Sequence, residues 1–132
     1  MTIGEAAAAS NLALKTIRYY EEIGLVRPRR GLNGYRDFSE AETRKLAFVA
    51  RARDLGFSIG ECRALLNLYE DRSRASADVK RLAAAHLAEI DRKIAGLQAM
   101  RATLGALVRR CHGDDRPECP ILDDLAGAAQ EG

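Results

Sequence analysis

The feature that most constrains the fold is an uninterrupted helical stretch near the end of the chain. Residues 79–110 contain no proline and are rich in Ala, Leu and Arg, which all favour helices. At 1.5 Å per residue, a single helix over this range would be roughly 48 Å long. The remainder of a 132-residue chain is too small to cover it. The sequence therefore predicts a long helix whose apolar side needs a partner from outside the chain.

Apolar residues recur along this stretch with the seven-residue period of a coiled coil. One heptad row falls at positions 83, 90, 97, 104 and 111, and the other row, four residues further on, is broken only by Arg101. Two copies of the chain can bury such a seam by pairing along it, so the pattern predicts a homodimer. The predicted seam residues are Leu87, Ile90, Ile94, Leu97, Leu104 and Val108.

Capping signals divide the first half of the chain into short helices. Three Ser/Thr-x-x-Glu boxes, which satisfy free amides at a helix start, begin at Thr2, Ser39 and Ser58. The predicted helices span about residues 3–9, 13–23, 40–54 and 59–70. The first two are separated by Ser10-Asn11, and Gly24 is expected to end the second in a left-handed conformation. Two short helices joined by a tight turn form a candidate helix-turn-helix.

A hairpin is predicted directly after this helix pair. Pro28 disfavours helix, and Asn33-Gly34 between two short extended runs is a strong hairpin signal. A hairpin in this position is the wing of a winged helix-turn-helix. The fold is therefore expected to be dominated by α-helix, with a small two-stranded wing.

Positive charge is concentrated in the second helix and the wing. The whole chain has a net charge of only +2, yet residues 15–36 hold six Lys/Arg and two Asp/Glu. A helix with exposed cations suits the major groove of double-stranded DNA, and cations on the wing suit DNA phosphates. The alternative interpretation is a basic face that is simply exposed to solvent. The predicted DNA-binding residues are Lys15, Thr16, Arg18, Tyr19, Tyr20, Arg29, Asn33, Tyr35 and Arg36, with one of the two adjacent tyrosines expected to face inward.

Two cysteines near the C-terminus frame a candidate metal-binding loop. Seven residues separate Cys111 from Cys119, which is enough chain to bring both sulfurs to one atom. Two thiolates suit a soft monovalent ion such as Cu(I), whereas Zn²⁺ prefers four ligands. For Zn²⁺, only His112, Asp114 and Asp115 are near in sequence. A divalent sensor that uses His112 and a redox switch that forms a disulfide remain open alternatives.

Other classes of function find little support in the sequence. Cys62 has no partner nearby and is interpreted as a small buried hydrophobe. No nucleophile–base set, carboxylate pair or phosphate-binding glycine loop is recognisable, so the chain is not expected to be an enzyme. Without a long apolar run or a disulfide framework, it is expected to lie in the cytoplasm and not in a membrane. The expected organisation is a winged helix-turn-helix DNA-binding domain at 1–70, a linker at 71–78, a dimerisation helix at 79–110, and a metal-binding loop with a tail at 111–132.

The order of these elements and two motifs resemble the MerR family of transcription regulators. The motifs are TIRYYEEIGLV at residues 16–26 and NGYR at residues 33–36. The sequence SADVK at residues 76–80 and the cysteine loop followed by Pro120-Ile121 are similar to the copper-responsive branch, the CueR and HmrR type. The resemblance covers nearly the whole chain.

This resemblance implies both a ligand set and a mechanism. Cys111 and Cys119 would bind Cu(I), with Ag(I) and Au(I) as mimics. Relatives that respond to divalent ions generally carry a cysteine at the start of the dimer helix, where this chain has Ser76, so Ser76 would set selectivity without being a ligand. The dimer would sit on a promoter of copper-export genes with an overlong spacer, and would distort the DNA so that RNA polymerase can engage it.

Overall fold

A computed structural model of the chain describes residues 1–127. Six α-helices and a two-stranded antiparallel sheet make up this part of the protein, which confirms the predicted fold class. In chain order the elements are α1 (Ile3–Ser10), α2 (Leu14–Glu22), β1 (Arg29–Arg30), β2 (Arg36–Asp37), α3 (Glu40–Asp54), α4 (Ile59–Glu70), α5 (Ser76–Arg110) and α6 (Pro120–Leu125). In the sheet, Arg29 lies opposite Asp37 and Arg30 lies opposite Arg36.

Local capping places the ends of the first four helices close to the predicted positions. Thr2 and Ser58 each form a complete capping box with the glutamate three residues later. Ser39 accepts a hydrogen bond from the amide of Glu42, so only half of the predicted third box is present. Gly24, with φ of +79°, follows α2 as expected for a left-handed stop.

The wing is a hairpin, but its turn differs from the one that an Asn-Gly pair usually makes. The amide of Gly34 donates to the carbonyl of Gly31 at 2.9 Å, so Leu32 and Asn33 are the central turn residues. Neither of them has a positive φ, whereas Gly34 has φ of +80°. The loop is therefore a three-residue connection closed by a left-handed glycine, a common alternative to the two-residue turn.

The core of the N-terminal part is formed by apolar residues from the helices and the wing. Helix α3 packs against both α1 and α4, and α1 packs against α2. The largest fully buried side chains are Phe38, Ile17, Leu46, Val26, Val49 and Cys62. Burial of Cys62 confirms its interpretation as a core residue. The basic segment is thus attached to a packed scaffold.

The long helix begins earlier than the sequence predicted. Helix α5 starts at Ser76 rather than at 79. The expected linker at 71–78 is therefore too long, because residues 76–78 belong to the helix. Asp78 explains the difference, because an acidic side chain in the first turn complements the helix dipole and forms an ion pair with Arg81. The true connection is short and includes a turn in which the Asp71 carboxylate accepts from Ser73 at 2.9 Å and 2.6 Å.

The chain divides into two compact units, Met1–Arg81 and the residues from Leu82 onward. The second unit holds most of α5, the cysteine loop and α6. The sequence analysis expected only a loop and a tail over 111–132, so α6 is a correction, and residues 128–132 of that segment lie outside the described part. Between residues 1 and 127, no helix is both long and apolar enough to span a membrane.

Candidate DNA-binding surface and metal-binding loop

Helix α2 presents one buried face and one exposed cationic face. Ile17 and Tyr20 point into the core, whereas Lys15, Arg18 and Tyr19 are exposed. Thr16, the remaining predicted contact on this helix, is partly buried. A helix held by its apolar face, with cations on the opposite face, has the form needed to enter a DNA groove.

The two adjacent tyrosines have different roles. Tyr19 is 48% exposed and Tyr20 is 5% exposed, as the expectation of one inward and one outward ring required. The inclusion of Tyr20 among the DNA-binding residues is therefore wrong, because its ring faces the core. Burial raises the pKa of the Tyr20 hydroxyl, although Arg53 works against this shift. Tyr20 supports α2 from inside the core.

At the wing, the predicted residues are exposed, and one of them also shapes the loop. Arg29, Asn33 and Tyr35 all reach the surface. The side-chain oxygen of Asn33 accepts a hydrogen bond from the amide of Tyr35 at 3.1 Å, which orders the tip of the wing. Arg29 and Tyr35 have their side chains available to a ligand, while Asn33 contributes first to the turn.

Arg36 is placed differently from the other wing residues. Its guanidinium is partly buried and forms a close ion pair with Glu21 of α2. Arg30 reaches the other oxygen of the same carboxylate, at 3.3 Å. Sequence reasoning missed Glu21, which lies fifteen residues from Arg36 along the chain. The one sequence signal for such a carboxylate was the excess of arginine in the wing, which calls for an acidic partner.

The base of the wing is anchored to α3 by another carboxylate. Glu42 accepts a hydrogen bond from the backbone amide of Arg27 at 2.8 Å, instead of completing the box with Ser39. Lys45 lies 3.2 Å from Glu42 and 3.0 Å from Glu70 of α4. Partial burial disfavours the Lys45 ammonium, but the two carboxylates outweigh it and raise its pKa. These contacts therefore fix the start of the wing relative to α3.

The cysteine loop joins the end of α5 to the start of α6. Cys111 follows the last residue of α5, and Cys119 is the residue that caps α6. Both thiols are free and partly buried. Between them, Gly113 adopts φ of +67°, a backbone conformation that glycine reaches at little cost and that turns the chain after α5.

The other donors in this loop are less suited to a metal than the two thiols. Both oxygens of Asp114 accept hydrogen bonds from Arg116, at distances of 2.8 to 3.0 Å. These bonds lower the pKa of the Asp114 carboxyl and occupy the oxygens that a hard cation would use. His112 and Asp115 are exposed. The donor set is thus two thiols, which fits a soft two-coordinate ion better than a four-coordinate one.

The predicted seam of α5 is an exposed apolar stripe. Ile90 is partly buried, and the other seam residues are between 47% and 61% exposed: Leu87, Ile94, Leu97, Leu104 and Val108. Large apolar residues repeated along one helix at this exposure are typical of an interaction surface.

Two models of protein families match the chain and together span most of it. One, described as MerR HTH family regulatory protein, matches residues 1–68, and another, described as MerR, DNA binding, matches residues 43–107. The chain belongs to the MerR family. Membership confirms the resemblance seen in the motifs of α2 and the wing.

Named relatives of this MerR-family chain are transcription regulators. It is 59% identical to the HTH-type transcriptional regulator HmrR of Rhizobium leguminosarum bv. viciae, covering 98% of this chain and 100% of the relative. It is 45% identical to the regulator CueR of Salmonella typhimurium, covering 96% and 93%. These relatives confirm the prediction that the chain is not an enzyme.

A solved structure of a metal-bound regulator shares the fold. The transcription regulator PbrR691 from Ralstonia metallidurans, in complex with lead(II), is 32% identical to this MerR-family chain. The two superpose with a TM-score of 0.82, covering 95% of this chain and 98% of the other. Metal-responsive regulators are therefore among the proteins that this chain resembles in both sequence and fold.

Proposed function

We propose that this chain is a Cu(I)-responsive transcription activator that binds promoter DNA as a homodimer, with Ag(I) and Au(I) as mimics of the inducer. The observation that carries the proposal is the donor set of the C-terminal loop. Cys111 and Cys119 are both free and partly buried, while the carboxylate of Asp114 in the same loop is occupied by Arg116. Cys111 and Cys119 would hold the ion through their sulfurs, and the bound ion would join the two ends of the loop.

The preference for a monovalent ion follows from charge and coordination number. Two thiolates and Cu(I) together carry a net charge of −1, and two-fold coordination is then complete. Zn²⁺ with the same thiolates would be neutral but would lack two ligands. We infer that Ser76, the first residue of α5, contributes to this selectivity by not being a thiol.

The DNA-binding role rests on the exposed cations of α2 and the wing. Lys15, Arg18 and Tyr19 would enter the major groove, and Arg29 and Tyr35 of the wing would contact phosphates and sugars. In this proposal the seam of α5 pairs two copies, so that two such surfaces meet one promoter. Both copies act in the cytoplasm, where DNA and RNA polymerase are present.

Activation would proceed by deformation of the promoter. Bending or untwisting a long spacer costs about 1–6 kcal/mol, which the contacts of the dimer must offset. The ion can favour the distorting geometry only if it binds that geometry more tightly than the other. The loop between Cys111 and Cys119 follows the dimer helix directly, so a change in the loop acts at the end of the seam.

A sensor of divalent ions is the second candidate, because the related regulator with 32% identity was solved with lead(II). Such a sensor would need His112 or another ligand in addition to the two thiols. A thiol redox switch, which would join Cys111 to Cys119, uses the same residues and needs no metal.

The test is an anaerobic titration with Cu(I) and with Zn²⁺ that follows transcription and distortion of a promoter duplex. We expect Cu(I) to activate the parent, and Cys111→Ser or Cys119→Ser to abolish activation while dimerisation and DNA binding persist. A single thiolate cannot hold a two-coordinate ion tightly. Cys62→Ser is the matched control, because this thiol is fully buried in the N-terminal core.

Three results would contradict the proposal. Cu(I) activation that survives either loop substitution would show that the loop is not the sensor. Activation by Zn²⁺ equal to that by Cu(I) would favour the divalent candidate. Activation by an oxidant without metal, with a disulfide between Cys111 and Cys119, would favour the redox switch.

A further inference from the structure

A single carboxylate of the recognition helix holds two arginines of the wing. Glu21 of α2 pairs with Arg36 through one oxygen and with Arg30 through the other, at 3.3 Å. The pair with Arg36 is the more sheltered one, with side chains 22% and 25% exposed, whereas Arg30 is 50% exposed. Because two oxygens meet two separate cations, the carboxylate links α2 to both strands of the hairpin.

An acidic residue at this position works against binding to a polyanion. Glu21 lines one shallow depression together with Arg18, Glu22, Arg30 and Arg36. A carboxylate there repels phosphates and neutralises cations that would otherwise attract them. Its presence on the cationic side of the domain therefore needs a reason other than affinity.

We propose that Glu21 is a positioning residue that sets discrimination between specific and non-specific DNA. It orients the wing against α2, and it keeps Arg30 and Arg36 from binding phosphates of any sequence. Non-specific affinity comes almost entirely from phosphate contacts, so withholding cations lowers it more than it lowers specific affinity. The proposal rests on the DNA-binding function proposed above.

The wing has other anchors, so loss of the Glu21 charge does not unfold it. Glu42 holds the amide of Arg27 at 2.8 Å, and the amino group of Met1 lies 2.9 Å from Asp37 of the second strand. The amide of Phe38 also donates to the Met1 carbonyl at 2.7 Å. A neutral variant of Glu21 therefore changes the charge and orientation of two arginines within a folded domain.

The experiment compares Glu21→Gln with Glu22→Gln in the full chain. Both substitutions remove one negative charge from neighbouring positions on α2. Glu22 is exposed, and within residues 1–127 its side chain makes no ion pair or hydrogen bond. The probes are a duplex selected by the parent from a randomised library and a scrambled duplex of the same composition. Affinity is measured over a range of salt concentrations, and thermal unfolding is measured beside it.

We expect Glu21→Gln to steepen the logarithmic salt dependence on scrambled DNA by about one unit relative to Glu22→Gln, because one more phosphate is neutralised. At 0.15 M salt this corresponds to about fivefold tighter non-specific binding. Affinity for the selected duplex should stay equal or fall, so the ratio of specific to non-specific affinity should drop about fivefold or more.

Two results would contradict the role proposed for Glu21 and leave the proposed DNA-binding function standing. The first is equal salt slopes and equal ratios for the two variants. The second is a parallel loss on both duplexes with an unchanged slope and a lower melting temperature, which would indicate a merely structural role. If the parent itself selects no duplex, the proposed DNA-binding function fails, and the proposal for Glu21 fails with it.

Discussion

The three cysteines occupy two kinds of surroundings. Cys62 is fully buried in α4, and its burial raises the pKa of the thiol, so it stays protonated and is a poor metal ligand. Cys111 and Cys119 are partly buried at the two ends of a glycine-containing loop. The same side chain is therefore a packing element in one place and a candidate ligand in the other.

Ser76 offers a test of ion selectivity at one position. It is the first residue of α5, and the function proposed above assigns it a part in ion selectivity. We expect Ser76→Cys to raise affinity for Zn²⁺ by supplying a third thiolate, because a hydroxyl does not lose its proton readily near neutral pH. Competitive metal binding under anaerobic conditions measures the effect.

Ser73→Cys is a suitable control for this substitution, since it adds a thiol three residues earlier, in the turn before α5. An equal gain in Zn²⁺ affinity from both variants would show that a third thiol acts non-specifically. No gain from Ser76→Cys would remove Ser76 from the account of selectivity.

A complete capping box stabilises the first turn of helix α4. The Ser58 hydroxyl accepts from the amide of Glu61 at 3.1 Å, and the Glu61 carboxylate accepts from the amide of Ser58 at 2.8 Å. Two otherwise unsatisfied amides thus gain partners. Gly60 lies within the same turn, and a Cβ added there would meet nothing closer than the Ser58 hydroxyl at 3.9 Å.

Two substitutions in this turn should change stability in opposite directions. We expect Ser58→Ala to lower the free energy of unfolding by about 1 kcal/mol, because one amide loses its acceptor. Gly60→Ala should raise it by about 0.5–1 kcal/mol, because alanine restricts the unfolded chain and fits the helix. Denaturant unfolding measures both. A stabilising Ser58→Ala or a destabilising Gly60→Ala would contradict the geometry of this cap.

The apolar stripe of α5 is a regular surface feature outside the N-terminal core. Its residues recur at heptad spacing and stay about half exposed, whereas Leu107 on the same helix is only 4% exposed. Pairing of two stripes would remove this apolar area from water, which is the main source of stability in coiled coils.

Introducing a charge into the stripe should therefore separate the two copies. We expect Leu97→Glu to shift the protein from dimer to monomer. Promoter binding should then weaken sharply, because each monomer would bind a single DNA half-site without the help of a second copy. Gln98→Glu adds the same charge to the adjacent exposed position outside the seam and should leave the dimer intact. Light scattering after size-exclusion chromatography distinguishes the two. A dimeric Leu97→Glu variant would exclude this seam as the interface.

The sequence by itself determined the features that depend on near neighbours. Capping residues and the stop at Gly24 act within a few positions, and the limits of α3 and α4 could be predicted from such local signals. The heptad period is equally local, and it predicted the long helix. The spacing of Cys111 and Cys119 indicated a two-thiol loop, but it left a disulfide between them open. Family motifs in α2 and the wing then identified the DNA-binding role.

Only the tertiary structure decided how distant polar groups are paired. Glu42 meets the first requirement of a capping box, yet its carboxylate binds the amide of Arg27, which only folding brings near. Glu21 likewise pairs with Arg30 and Arg36 because the wing folds back onto α2. Carboxylates reach several partners, and the one chosen depends on which backbone segments the core brings together. Sequence spacing does not encode that choice, whereas it does encode caps and helical faces.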